Sequence, residues 1–222
     1  RALAAVGSCV ALVGIFVNLI VGFSVGPNAV LANLIGQKRR DKINRMLHTI
    51  MAFGLIAGVI LMGLGMLSAK PILEVSGTPE SVMNEALLYI RIYFIGIPFM
   101  MIYNFGSAVL RSFGDTRRPM YYLILSGTVN VILNLILVIY FKLGVAGVAI
   151  ATVISNILSA GLVLIYLYRR EDEFQFRPQR LHIEKEDLSV SIDGQIVPIL
   201  SIERDYEKIM DGEKKIALII YK

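Results

Sequence analysis

Charge is scarce in this chain of 222 residues: Asp, Glu, Lys and Arg make up only 18% of it, against about a quarter in soluble domains. That shortfall argues against a water-soluble enzyme. Cysteine occurs once, as Cys9, so neither an intrachain disulfide nor a cysteine metal site can form. The two histidines, His48 and His182, stand too far apart in sequence to suggest a local ligand pair. No acidic or basic side chain falls in the middle of any long apolar run, so the usual marks of a proton relay are missing. There is no P-loop, no nucleophile–base–acid set and no zinc pattern. No catalytic residue, cofactor or resident metal is therefore expected. A signal peptide is missing too, because the chain opens on Arg1 and enters at once an uncharged stretch too long for a signal core. Such a start reads as a fragment.

What is present is apolar surface. Hydrophobic residues make up 56% and the mean hydropathy is +0.68. Charge divides the chain in two. Residues 1–168 hold 12 Lys+Arg and 5 Asp+Glu, a net +7, whereas residues 169–222 hold 10 and 12, a net −2. The first part is expected to form a transmembrane helical lobe, the second a cytoplasmic linker and an atypical charged tail. The basic residues sit between apolar runs rather than in one patch, so the basic pI is no argument for nucleic acid.

A helix crossing the ~30 Å hydrocarbon core needs about 20 apolar residues. Uncharged runs at Ala2–Gln37, Met46–Ala69, Ile92–Leu110, Pro119–Phe141 and Leu143–Tyr168 predict five spans, at 9–34, 46–68, 87–110, 119–141 and 145–168. Segments of this length satisfy their backbone in lipid only as helices, so the fold class is an all-α polytopic bundle. Lys38, Arg39, Arg40, Lys42 and Arg45 follow the first span; Arg111, Arg117 and Arg118 follow the third; Arg169, Arg170, Arg177, Arg180 and Lys185 follow the fifth. That makes 13 basic residues on one side against three (Arg1, Lys70, Lys142) on the other. The positive-inside rule places the 13 in the cytoplasm and the start of the chain outside, so a further span is expected upstream. Thr78-Pro79-Glu80 reads as an N-cap and helix start. Pro27 and Pro98 fall inside spans and predict kinks. Gly22 with Gly26, and Gly54 with Gly58, have the spacing of close helix contacts. Arg91 and Arg111 each reach a different interface; contact between Arg91 and a substrate is the alternative.

The spans also carry neutral polar groups. Tyr122, Ser126, Asn130 and Asn134 recur every fourth residue of the fourth span, on one helical face. The fifth span has Thr152, Ser155, Asn156 and Ser159, and the third has Tyr103, Asn104 and Ser107. Amides facing lipid would lack partners, so these faces point into the bundle. Counting residues from the outer ends of the helices puts Asn134 and Thr152 at one level, ~10 Å deep. A coordination site at Asn130, Asn134 and Thr152 and plain interhelical hydrogen bonding both fit that pattern. Tyr103, Asn104, Tyr122, Ser126 and Asn156 are candidates to line a substrate cavity.

Two motifs carry a family resemblance. The run LRSFGDTRRP from Leu110 to Pro119 resembles the loop after the fourth helix of multidrug and toxic compound extrusion (MATE) transporters. The run LGVAGVAIAT from Leu143 to Thr152 is similar to the start of their sixth helix. Ala4–Gly7 and Ile35-Gly36 agree more weakly, and the resemblance extends to about Leu188. It implies that the five spans are helices two to six of a first six-helix lobe, with a second lobe elsewhere in the protein. It also implies export of organic cations or amphiphilic compounds in exchange for sodium ions or protons, by alternating access to a cavity between lobes. In one branch of that family a cation site takes an Asp from helix one, an Asn and an Asp four apart on helix five, and a Thr from helix six. Asn130 matches that Asn and Thr152 that Thr, while Asn134 stands where the Asp would be. The helix-one acid would precede Arg1. An amide coordinates a cation but neither titrates nor adds charge.

The tail departs from that pattern. Val190, Ile192 and Ile196 around Asp193-Gly194 give a hairpin-like signal, followed by a charged run, Glu203–Lys215. Three functions compete: a multidrug antiporter of the plasma or inner membrane, a lipid-linked saccharide flippase, and a nonfunctional structural membrane fragment. Flippase cavities tend to carry several basic side chains, and no span here has one at its middle.

Overall fold

The computed structural model describes residues 2–38, 40–170, 176, 188–192, 195–198 and 216–220. Six α-helices follow one another: α1 (Ala2–Gly36), α2 (Arg40–Val75), α3 (Glu80–Ile95), α4 (Ile97–Ser112), α5 (Arg117–Leu135) and α6 (Gly144–Arg169). A π turn, Ile136–Tyr140, prolongs α5. Three of these elements, Lys42–Val75, Arg117–Tyr140 and Gly144–Arg169, are long and apolar enough to cross a membrane, and the pair α3–α4 makes a fourth as one bent span. The remaining expected span, 9–34, falls in α1, where the apolar stretch with described side chains, Val13–Gly22, is shorter than a span.

The ends of the helices follow from local chemistry. Gly77, at φ 71°, takes the left-handed position after α2. Its N–H bonds Glu74 O at 3.1 Å and the Thr78 N–H bonds Leu73 O at 3.1 Å, the paired closure of a Schellman motif. Gly114 and Asp115 close α4 on Arg111 O and Leu110 O in the same way, at 2.9 and 3.0 Å. Thr78 thus belongs to the end of α2. This corrects the expected N-cap: Pro79 holds that position before α3, and Thr78 Oγ1 is buried with no hydrogen-bond partner.

The kink expected at Pro98 forms. Pro98 offers no N–H to the carbonyl four residues back, and the chain breaks at Gly96 with a bend of 42° between α3 and α4. The ladder resumes with the Met100 N–H on Gly96 O at 3.0 Å. At position 27, by contrast, α1 runs through unbroken.

Packing centres on α4, which touches α1, α2 and α6 and buries Ile97, Met101 and Phe105. Helix α2 meets it through missing side chains. A Cβ at Gly58 would lie 2.8 Å from Pro98 Cα, one at Gly54 3.1 Å from the Phe105 ring, and one at Gly65 2.2 Å from the Phe94 ring. The Gly54/Gly58 pair therefore permits the expected close contact. Gly22 has nothing within 4 Å, so no neighbour explains it. Helix α5 leans mainly on α6, and Leu123, Ile124, Val131, Ile132 and Leu135 on its outer side are exposed.

Past α6 the Phe176 N–H bonds Leu167 O at 3.0 Å, and its ring stacks on His48 with centroids 5.5 Å apart. The tail holds a three-stranded antiparallel sheet in the order β2-β1-β3: β1 (Leu188–Ile192), β2 (Gln195–Pro198) and β3 (Ile216–Ile220). Ile192 pairs with Gln195, so β1 and β2 form the hairpin expected around Asp193-Gly194. The third strand pairs with β1 and lies against α1. The charged run Glu203–Lys215 lies outside the described residues. The membrane lobe is all-α as expected, and the tail adds this sheet to it.

Candidate functional site

Helices α5 and α6 form an antiparallel hairpin whose turn sets the register of their polar faces. The turn is tight, with Lys142 at φ 55° and Gly144 at φ 54°. The Phe141 N–H bonds Ile136 O at 3.1 Å, closing the π turn, and the Leu143 N–H bonds Leu137 O at 3.0 Å. On α6, Gly147 receives this π turn. A Cβ there would stand 3.2 Å from the Leu137 carbonyl carbon. The hairpin is thus clamped backbone to backbone at its turn, and the side chains beyond it have a fixed alignment.

In that alignment Asn130, Asn134 and Thr152 come together. Asn130 Nδ2 donates to Thr152 Oγ1 at 3.4 Å and to Ser155 Oγ at 3.2 Å. Asn134 Nδ2 donates to Asn130 Oδ1 at 3.0 Å. The hydroxyls spend their own protons on the backbone, Thr152 Oγ1 on Val148 O at 3.0 Å and Ser155 Oγ on Thr152 O at 2.8 Å. Donation therefore runs one way along the chain, from Asn134 to Asn130 to the hydroxyls. It leaves Asn134 Oδ1, buried, without a partner. No member of the network titrates near neutral pH, so it offers oxygen lone pairs and amide protons but no fixed charge.

Two details differ from the sequence expectation. Thr152 bonds Asn130 directly, and Asn134 reaches it only through Asn130. Ser155 also belongs to the network. Its signal was its place three residues beyond Thr152, on the same face.

The five candidate cavity residues have separate surroundings. Tyr103 Oη bonds Pro119 O at 2.9 Å, tying α4 to the start of α5. Asn104 Nδ2 bonds Met100 O at 2.8 Å and Ser126 Oγ bonds Leu123 O at 3.0 Å, each within its own helix. Tyr122 is half-buried against the core. Asn156, on α6, packs at the break in the third span, where a Cβ on Gly96 would lie 3.2 Å from its Nδ2. Among the described residues no group of three or more His, Cys, Asp and Glu is placed to hold a metal ion.

At the opposite end of the hairpin Asp115 anchors the start of α5. Its Oδ1 accepts the Arg118 N–H at 3.2 Å and its Oδ2 pairs with the Arg118 guanidinium. Partial burial pushes the Asp115 carboxyl upward, but the Arg118 hydrogen bonds and charge outweigh it, and the net shift is below the ordinary carboxylate value. The Arg118 guanidinium also lies over the Tyr166 ring at 4.4 Å, and that of Arg170 over Phe113 at 4.2 Å. These contacts fasten the α4–α5 loop, the GDTRR part of the motif, to the end of α6.

Comparison with known proteins decides the family. The MatE family profile matches residues 1–136, more than half of the chain. The chain belongs to the MatE family. Among curated relatives, the probable multidrug resistance protein YoeA of Bacillus subtilis (strain 168) is 33% identical over 79% of this chain and 39% of its own length. The FAD transporter of Shewanella oneidensis is 27% identical over 82% of this chain and 42% of its own. A solved inward-facing multidrug resistance MATE family transporter of the MOP superfamily superposes with a TM-score of 0.77 at 23% identity, covering 83% of this chain and 42% of that one. The MatE helix arrangement is therefore present here, and the chain spans about two-fifths of the length of the curated relatives it matches.

Proposed function

We propose that this MatE chain forms the first lobe of a secondary multidrug exporter, an antiporter of the plasma or inner membrane. It moves organic cations or amphiphilic compounds outward in exchange for sodium ions or protons. Five spans, α1 to α6 with α3–α4 as one, act as helices two to six. The basic loops and the tail face the cytoplasm, and a second lobe of the same protein completes the cavity. The names of the relatives and the share of their length that this chain spans support the reading.

The observation that carries it is the Asn134–Asn130–Thr152/Ser155 network, with one buried amide oxygen left over. An unpartnered carbonyl in a low-dielectric interior is costly unless something polar reaches it. A sodium ion does so. It takes Asn134 Oδ1 together with the lone pairs of the two hydroxyls, whose protons already point to backbone carbonyls. If the Asn134 amide rotates, Asn130 Oδ1 is freed as well. Coordination and the donor chain exclude one another, so the network has a cation-free and a cation-held arrangement. The negative charge comes from the acid expected on the preceding helix.

The test is dye efflux from vesicles holding the complete transporter, under imposed sodium or proton gradients. Asn130→Leu should abolish cation-stimulated efflux while protein level and unfolding temperature stay nearly unchanged, since one interhelical bond averages about 0.6 kcal/mol. Asn134→Asp should make efflux rise with pH through the carboxylate range, as a neutral acid becomes a cation-attracting carboxylate. Normal efflux by Asn130→Leu would reduce the network to helix packing.

A further inference from the structure

At the outer ends of α2 and α3 a groove of about 710 Å³ is lined by Lys70, Glu74, Thr78, Glu80, Asn84 and Arg91, with Met83 and Leu87. Its charges are ordered by depth. Helix α2 rises toward its end at Val75 and α3 descends from Glu80, so Lys70 and Arg91 are the deeper members of each helix. Glu74 lies one turn above Lys70. Glu80 is eleven residues above Arg91, ~16 Å at helical rise. Both cations therefore sit toward the hydrocarbon and both carboxylates toward water.

The groove is not self-satisfied. Arg91 is exposed and has neither an ion pair nor a hydrogen bond among the described residues. Lys70 and Glu74 approach only to 3.8 Å with both side chains more than half exposed, a contact easily opened. Thr78, 8% exposed, has a buried hydroxyl with no partner. Below the groove the same helical faces turn apolar. Leu67 lies three residues before Lys70, one turn deeper on α2, and Ile95 four residues beyond Arg91, one turn deeper on α3; both are exposed, Leu67 by 81%.

We infer that this groove binds the headgroup of an aminophospholipid of the phosphatidylethanolamine type. In such a lipid the ammonium lies above the phosphate and the acyl chains below it, which is the order of carboxylates, cations and apolar residues here. The phosphate takes Arg91 and Lys70. The primary ammonium donates to Glu80 and Glu74, and the acyl chains lie over Leu67 and Ile95. Phosphatidylcholine has no N–H to donate to the carboxylates. Phosphatidylglycerol has no cation to offer them. The site lies apart from the α5–α6 network and does not depend on the export reading.

The test is native mass spectrometry of the full chain released from vesicles of equimolar phosphatidylethanolamine, phosphatidylcholine and phosphatidylglycerol. Wild type should retain phosphatidylethanolamine in preference to both others. Glu80→Gln should erase the ethanolamine-over-choline preference. Arg91→Gln should lower total retention roughly three- to tenfold, the size expected for one exposed charge-assisted bond. Arg91→Lys, which keeps the charge, should retain most of it and covers the case in which the glutamine variant misfolds. Lys142→Gln, another outer cation away from the groove, should change nothing. Equal retention of the three lipids by wild type would overturn the assignment, as would displacement of bound lipid by an equal concentration of free phosphoethanolamine.

Discussion

Single residues in this bundle are governed by whether their polar atoms find a partner. Asn130 does, on another helix; Thr78 and Asn134 each leave an oxygen without one. Asp115 is the best-served carboxylate of the described residues, holding both the backbone and the guanidinium of Arg118. Its pKa is lower in the folded chain than in the unfolded one. Its contribution to stability is therefore complete above the unfolded value, ~3.9, and disappears as pH falls through the folded value. In thermal unfolding in detergent, wild type should exceed Asp115→Asn by a small, constant gap from pH 5 to pH 8, small because Arg118 is exposed. The gap should narrow as pH falls below the unfolded value. A gap that does not narrow on acidification would mean that shape and not charge anchors the loop.

Whole helices are held by closeness more than by polar bonds. Gly58 lets α2 approach the Pro98 backbone, so a methyl group there has no flexible side chain to push aside. Gly58→Ala should cost roughly 1–3 kcal/mol, whereas Gly63→Ala, with nothing within 4 Å, should be neutral or slightly stabilising. Unfolding in detergent compares the two, and equal effects would show that the α2–α4 contact is slack. The same scale decides what could be read in advance. Uncharged runs mark spans because burying a charge in lipid is prohibitive, and they placed α5 with its π turn and α6 within a few residues, whereas α2 runs on by six and seven residues at its two ends. Pro98 announced its break because the missing N–H is a property of the residue itself. The π turn carries no such mark: it depends on how Leu137 meets Gly147 across the hairpin. Thr78 was misread for a related reason, since a Thr-Pro-Glu run suits a helix start, yet Gly77 before it draws Thr78 into the closure of α2. The polar face of α5 was legible from its period of four, and the partners of its amides only from the register.

At the scale of the whole lobe, charge and contacts both support the proposed orientation, with the basic end toward the cytoplasm. The sequence puts 13 basic residues on one side against three. The structure brings these segments to one end of the bundle. Arg118 lies over Tyr166, Arg170 over Phe113, and Phe176 stacks on His48 near the start of α2. The loops after α1 and α4 and the end of α6 are thus neighbours in space as well as alike in charge, and moving one across the membrane would carry all three. The outer end has the α2–α3 turn and Lys142. With Cys9 replaced by Ala to silence the one native thiol, Lys38→Cys and Arg117→Cys should resist a membrane-impermeant maleimide in intact cells and react once the membrane is opened. Lys142→Cys should react in intact cells at once. Labelling of Lys38→Cys and Arg117→Cys from outside, with Lys142→Cys protected, would invert the lobe. The α2–α3 groove would then face the inner leaflet, and the candidate cation network would lie nearer the cytoplasmic surface than the outer one.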